Sequence, residues 1–221
     1  MTSLQLLINA LALGAAYALV ALGFVLTLNA TGAVNFAHGD LVMIGGVLAA
    51  VLAEQFFSSL PGVVLLPIIM IVMAGLGVLV AMVGYLPLQR RSPVAVFIST
   101  IAVGIILQNS ALVFVGPEPR AAPALFDGGA TVFLGLSVSR QSLAIIVAAT
   151  LLIFGQCRLF SRTRLGRCLR AAAQDPDMAR ACGVPVTTMV LLTFGLAADL
   201  LELLGCFLGV SFLLVPLGAA I

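Results

Sequence analysis

The sequence predicts an all-α fold, a polytopic membrane bundle of about six transmembrane helices. Three observations carry this. Hydrophobic residues make up 62% of the 221 residues and charged residues 8%, against about 25% charged in a soluble domain. Mean hydropathy is +1.27. The apolar residues fall into stretches near the roughly 20 residues that cross a bilayer core. So few charges cannot cover a water-facing surface. A soluble enzyme, a disordered linker, collagen and a disulfide-rich secreted domain are therefore excluded, and residues 1–221 read as one transmembrane domain.

The first span runs from Leu4 to Leu28. It lacks a basic leader region and exceeds a signal-peptide core, so it reads as a retained helix. The second, Leu41 to about Phe57, is shorter. The third runs from Pro61 to about Leu88, with Gly75 and Gly77 available for close packing. Val94 to about Val115 is the fourth span and Gln141–Phe160 the fifth. From Thr187 the chain is apolar to its end. The loop over 116–140 holds prolines and an Asp-Gly-Gly turn, and Ala130–Leu134 and Leu136–Val138 can pair as a short external hairpin.

Charge sets the orientation. All the basic residues are Arg; they cluster at Arg90 and Arg91 and between Arg158 and Arg180. Basic clusters beside apolar spans mark the cytoplasmic side. Arg120 and Arg140 are balanced by Glu118 and Asp127, which places that loop outside. Counting back puts the Asn29–Asp40 segment inside and the N-terminus outside. The count fails only if a span is re-entrant, and the second is the candidate. Cys157, Cys168 and Cys182 lie in or beside the basic region, where thiols stay reduced. With Cys206 they form no CxxC pair, so no metal site and no cofactor is expected.

The cytoplasmic segment 161–186 is the most structured loop. Arg164–Ala173 is a good helix former. Asp175 suits an N-cap, with Pro176 at the first helical position. Gly183 suits the left-handed residue that closes a helix. Pro185 prevents continuation, and Thr187 or Thr188 can cap the next span. Two short helices joined at Asp175 are more than orientation alone requires.

Polar residues within the apolar sequence are the candidates for a solute path. Asn35, His38 and Asp40 gather between two spans. Either they close their own turn, with Gly39 at positive φ and Asp40 as an N-cap, or the turn lines the path. Gln108 and Asn109 lie within the fourth span and read as an interhelical hydrogen bond or as path lining. Ser99 and Thr100 can bond their own helix backbone. Ala10, Gly14 and Ala18 form a small-residue packing stripe. His38 lacks a carboxylate or Cys at ligand spacing.

Two separated stretches resemble a known family. Thr163–Ala198, TRLGRCLRAAAQDPDMARACGVPVTTMVLLTFGLAA, is similar to the coupling segment of ATP-binding-cassette importer permeases of the branched-chain amino acid and urea group. Gly14–Gly46 contains the matching NFAHG signature at Asn35–Gly39, and Gln89–Pro93 and Ser99–Gly104 resemble the family's middle segment. The resemblance covers Leu4 to about Ala198. It implies a permease subunit in the bacterial cytoplasmic (inner) membrane. Its expected partners are a second permease subunit, two cytoplasmic ATP-binding subunits, an external solute-binding protein and the lipid bilayer, with no nucleic acid. It puts the ATPase contact on Arg164, Gly166, Arg167, Arg170, Asp175, Met178, Ala179 and Gly183. No GxxxxGK[ST] loop, HExxH or nucleophile–base pair occurs, so the chain is not expected to be an enzyme.

The end at 199–221 departs from the family pattern. Asp199 and Glu202 lie three apart, on one helical face, and the chain stops at Ile221 within apolar sequence. The family continues with further helices, so a shortened, transport-incompetent permease is one alternative. A secondary transporter without an ATPase is another. It calls for a mid-span carboxylate and an inverted repeat; Asp199 and Glu202 are its carboxylate candidates and no clear repeat is found.

Overall fold

The computed structural model describes residues 2–55, 62–89, 91–116, 130–133 and 136–208. Arg90, most of the 116–140 loop with Glu118, Arg120 and Asp127, and the chain beyond 208 lie outside them. The element order is α1 (Thr2–Thr31), α2 (His38–Gln55), α3 (Gly62–Val80), α4 (Pro93–Val115), β1 (Ala130–Phe133), β2 (Leu136–Ser139), α5 (Arg140–Arg162), α6 (Arg164–Gln174), α7 (Pro176–Ala181) and α8 (Val186–Leu208). Among the described residues, 4 helices are long and apolar enough to cross a membrane, and α2 and α8 contribute shorter apolar stretches. The strands β1 and β2 pair antiparallel, with Ala130 opposite Ser139 and Phe133 opposite Leu136.

Helix α8 is the axis of the bundle. α1, α2 and α3 all pack on it, and Phe194, Ala197, Ala198 and Leu200 are buried. Close approach depends on small residues. A Cβ on Gly77 of α3 would stand 2.6 Å from Phe194 O and 2.7 Å from Ala198 Cβ, and one on Gly23 of α1 would meet Ala197 O at 3.3 Å. Backbones this near gain the dispersion contact that holds helices together in lipid, where burial against water no longer separates helix from helix. Gly75, by contrast, has nothing within 4 Å.

The buried stripe of α1 is Ala12, Ala16 and Leu19, continued by Thr27, at the three-to-four spacing of a single face. The expected Ala10–Gly14–Ala18 stripe points away from the bundle: Ala10 and Ala18 are exposed and nothing approaches Gly14. Small residues recur at helical spacing on both sides of this Ala-rich helix, so spacing alone does not choose the packed face. α5 is peripheral. Ile145 and Ala149 face inward, whereas Leu143, Val147, Leu151 and Phe154 are exposed, an apolar outer face suited to lipid.

The end of α3 changes pitch. A π turn at Ala81–Tyr85 leads into a 3-10 turn at Leu86–Leu88. Pro87 explains this: it has no N–H to donate and its ring collides with the carbonyl four residues back. The widened turn absorbs the collision.

Candidate functional site

Helix α1 ends at Gly32, whose φ of +65 lets its N–H bond Leu28 O at 2.8 Å, the glycine C-cap arrangement. The chain then turns back into the bundle without helix from Gly32 to Ala37. His38 Nε2 lies 3.1 Å from Val20 O. Val20 is about 16 Å along α1 from Thr31 at 1.5 Å per residue. Hence α2 begins level with the middle of α1 rather than at its end, and the chain leading to it is without helix. Asn29–Asp40 is therefore not a surface loop; only its first residues are near the face.

Unwound backbone at this depth requires internal partners, and short polar side chains supply them. Thr31 Oγ1 accepts from Ala33 N at 3.2 Å and donates to Thr27 O at 2.7 Å. Phe36 N donates to Thr100 Oγ1 of α4 at 3.2 Å. Ala37 N donates to Asn35 Oδ1 at 3.1 Å. Asn35 and His38 are buried. A carbonyl only accepts, so the contact with Val20 O assigns the ring proton of His38 to Nε2. Asn35 Nδ2 and His38 Nδ1 have no partner among the described residues.

Asp40 crosses to the fourth span. Gln108 Nε2 donates to Asp40 Oδ1 at 2.6 Å. The other carboxylate oxygen lies against Gly104, where any Cβ would collide with it. Asp40 is in the first turn of α2, where the helix dipole favours an anion. The expectation that Asp40 is an N-cap is thus corrected: α2 has already begun at His38, and Asn35 holds the turn ahead of it. Gly39 is helical, and Gly32 takes the positive φ expected there. Of the polar pair in α4, Gln108 reaches across to α2, while Asn109 bonds its own helix through Ile105 O at 2.7 Å. The structure therefore brings Asp40 and Gln108 together, keeps His38 against α1 with Asn35 buried in the turn before it, and leaves Asn109 aside. Thr100 and Gly104 complete the constellation. The sequence signal for both was small size on the α4 face that also carries Gln108.

The second constellation is the helix pair α6 and α7. Thr163 caps α6, accepting from Gly166 N at 3.0 Å and donating to Leu159 O at 2.6 Å. A Cβ on Gly166 would collide with Leu159 O and the Phe160 backbone, so this glycine permits the sharp corner between α5 and α6. Asp175 Oδ1 caps α7, accepting from Asp177 N and Met178 N, both at 3.0 Å. α7 closes on Gly183, with φ of +81. Gly183 N bonds Arg180 O at 3.0 Å and Val184 N bonds Ala179 O at 2.9 Å, the two bonds of a Schellman motif. α8 starts at Val186, directly after Pro185, so Thr187 and Thr188 lie inside its first turn and do not cap it.

The pair is amphipathic. Gly166, Leu169, Ala172 and Ala179 are buried, whereas Arg164, Arg167, Arg170, Asp175 and Gly183 are exposed. Leu165 and Met178 are exposed apolar side chains among these charges. Gly166 and Ala179 therefore hold the pair to the bundle, and the rest of the expected coupling set is exposed, with Arg170 also bordering the cavity beneath α6. A cavity of about 420 Å³ lies between α6 and the ends of α1, α5 and α8, with Asn29, Phe160 and Arg170 in its wall. Asp199 Oδ1 in α8 has no partner among the described residues, and the Glu202 side chain lies outside them.

An unwound stretch beside the middle of α1, polar groups gathered on it, and a capped helix pair at one end together describe a polytopic helical membrane protein. The family described as branched-chain amino acid transport system / permease component matches residues 6–220, and the chain belongs to it. That match runs past Asp199 and through most of the segment beyond 208. The chain is similar to the high-affinity branched-chain amino acid transport system permease protein BraD of Pseudomonas aeruginosa. The two are 32% identical over 219 residues, which is 95% of this chain and 71% of BraD. It is also similar to the permease proteins LivH of Salmonella typhimurium and of Escherichia coli. Each is 30% identical over 217 residues, 93% of this chain and 70% of theirs. No solved structure matches.

Proposed function

We propose that the chain is the membrane-spanning permease subunit of an ATP-driven importer and forms part of the translocation path for branched-chain amino acids or a related small polar solute. The relatives' role as branched-chain amino acid permease proteins supports this. The observation that carries it is the α6–α7 pair: two capped helices, bonded at their corners, presenting Arg164, Arg167, Arg170, Leu165 and Met178 outward. ATP-binding subunits dock there, with the apolar side chains in a groove and the arginines against acidic rims. ATP hydrolysis belongs to those partners. A second permease subunit and an external solute-binding protein complete the assembly in the cytoplasmic membrane, with this N-terminus outside.

The Asn35–Asp40 turn with Gln108 lines the path. Transport alternates between outward-open and inward-open states, and ATP binding by the partners supplies the differential free energy that shifts this equilibrium. Closure of the ATPases pushes on α6, whose Thr163–Gly166 corner and buried Leu169 pass the movement to α5 and α8. The test replaces Asp175–Gly183 with a Gly/Ser linker. The variant is expected to insert in the membrane and lose the co-purifying ATPase. Normal recovery of the ATPase would refute the docking assignment.

A further inference from the structure

We infer that Asp40 is the group that receives the ammonium of an amino-acid substrate, with Ile101 and the Phe36–Phe97 pair receiving its aliphatic side chain. This rests on the reading of the chain as an amino-acid permease. A carboxylate within a span is costly. Holding α2 to α4 does not require that cost, because an Asn oxygen accepts the same bond from Gln108. What the carboxylate adds is negative charge. Among the described residues that charge has no cationic partner; Arg180 pairs with Asp177, outside the spans. Oδ1 takes the bond from Gln108, while Oδ2 takes no hydrogen bond among the described residues and lies over Gly104, which has no side chain to cover it.

The surroundings match one class of solute. Phe97, Ile101, Gly104 and Gln108 fall on one face of α4 by their three-to-four spacing. Phe36, 50% exposed, stacks edge-on to Phe97, 37% exposed, with ring centroids 4.6 Å apart. Ile101 is also open. The face therefore has an anionic end at Asp40 and an apolar end at the phenylalanines, about 10 Å apart along the helix from Gly104 to Phe97. A small aliphatic amino acid bridges these ends. Urea and simple amides carry no cation for the carboxylate and no aliphatic body for the rings, so the chemistry of this face suits an amino acid better than an amide.

The test uses the complete transporter in proteoliposomes, with radiolabelled leucine delivered by the solute-binding protein. Asp40→Asn keeps the acceptor for Gln108 and removes the charge. It is expected to slow leucine uptake at least tenfold, while the subunits still co-purify and the thermal midpoint is retained; Asp40→Glu is expected to recover part of the rate. Gln108→Lys puts a permanent ammonium on Asp40 and is expected to block uptake in an intact assembly. Uptake by Asp40→Asn at the unsubstituted rate overturns the proposal. So does loss of the second permease from that variant, which would make Asp40 an ion-pair partner between subunits. Leucine uptake absent from the unsubstituted transporter would instead refute the amino-acid reading beneath it.

Discussion

Single atoms decide where this backbone can leave its helix. Phe36 N–H, at mid-depth, depends on Thr100 Oγ1. Thr100→Val preserves the shape and removes the acceptor, and an unsatisfied buried donor costs about 1–3 kcal/mol. A lower thermal midpoint in detergent is expected, with Thr100→Ser close to the unsubstituted protein. Glycine matters equally at Gly77. Its Cβ would stand 2.6 Å from Phe194 O, and overpacking of this kind costs about 1–3 kcal/mol. Gly77→Ala is expected to lower the midpoint, whereas Gly14→Ala, with nothing nearby, leaves it unchanged; thermal denaturation followed by size exclusion separates the two. At this scale the sequence was only half legible. Asn35, His38, Asp40 and Gln108 stood out because polar groups in apolar sequence need partners. Their pairing did not, because Asp40 and Gln108 are 68 positions apart and helical spacing reaches only one turn. Thr100 does bond its own helix, through Phe97 O at 2.9 Å, as spacing suggests; its second bond belongs to the fold.

Among the elements, the caps were legible and the unwound half-span was not. Asp175, Pro176 and Gly183 each act locally, through bonds to atoms two or three residues away, so their roles can be read from their order. The stretch Ala33–Ala37 is short and apolar at most positions, and such a run suits helix or extended chain equally. What unwinds it is tertiary: Thr100 accepts one of its N–H groups and Gly23 leaves space for the His38 ring, 3.1 Å from where a Cβ would stand. The coupling pair yields an element-scale prediction. Asp175→Ala removes both cap bonds, at a cost of about 1 kcal/mol. Gly183→Ala forces a Cβ into the left-handed region, costing about 1–2 kcal/mol. Each is expected to weaken ATPase co-purification without changing membrane insertion. Arg167→Ala, on the exposed face, is expected to weaken it without changing the thermal midpoint. That contrast separates folding of the pair from its contact surface.

At the scale of the molecule, the proposed orientation requires the arginines of the α5–α7 region to share one face with the end of α1. The ends of α1 and α5, the corner at Thr163 and the start of α8 gather around α6, so the basic cluster and the Gly32 turn belong to one face. α2 then starts about 16 Å inside that face and runs toward the other. The proposed alternation of spans needs the extended residues 33–37 as the missing half of a crossing, because α2 alone is short. This arrangement makes a definite topological statement that the native thiols can test. Cys182 is exposed at the end of α7, on the face where the ATPase is proposed to bind. In a variant retaining Cys182 as its one cysteine, a membrane-impermeant maleimide is expected to label inverted vesicles and spare sealed right-side-out ones. A cysteine placed at Thr2 is expected to give the opposite pattern. If both label from the same side, α1, α2, α3, α4, α5 and α8 cannot each cross once. The unwound segment would then be a re-entrant dip rather than half of a span, and the path proposed through Asp40 would lose its outward exit.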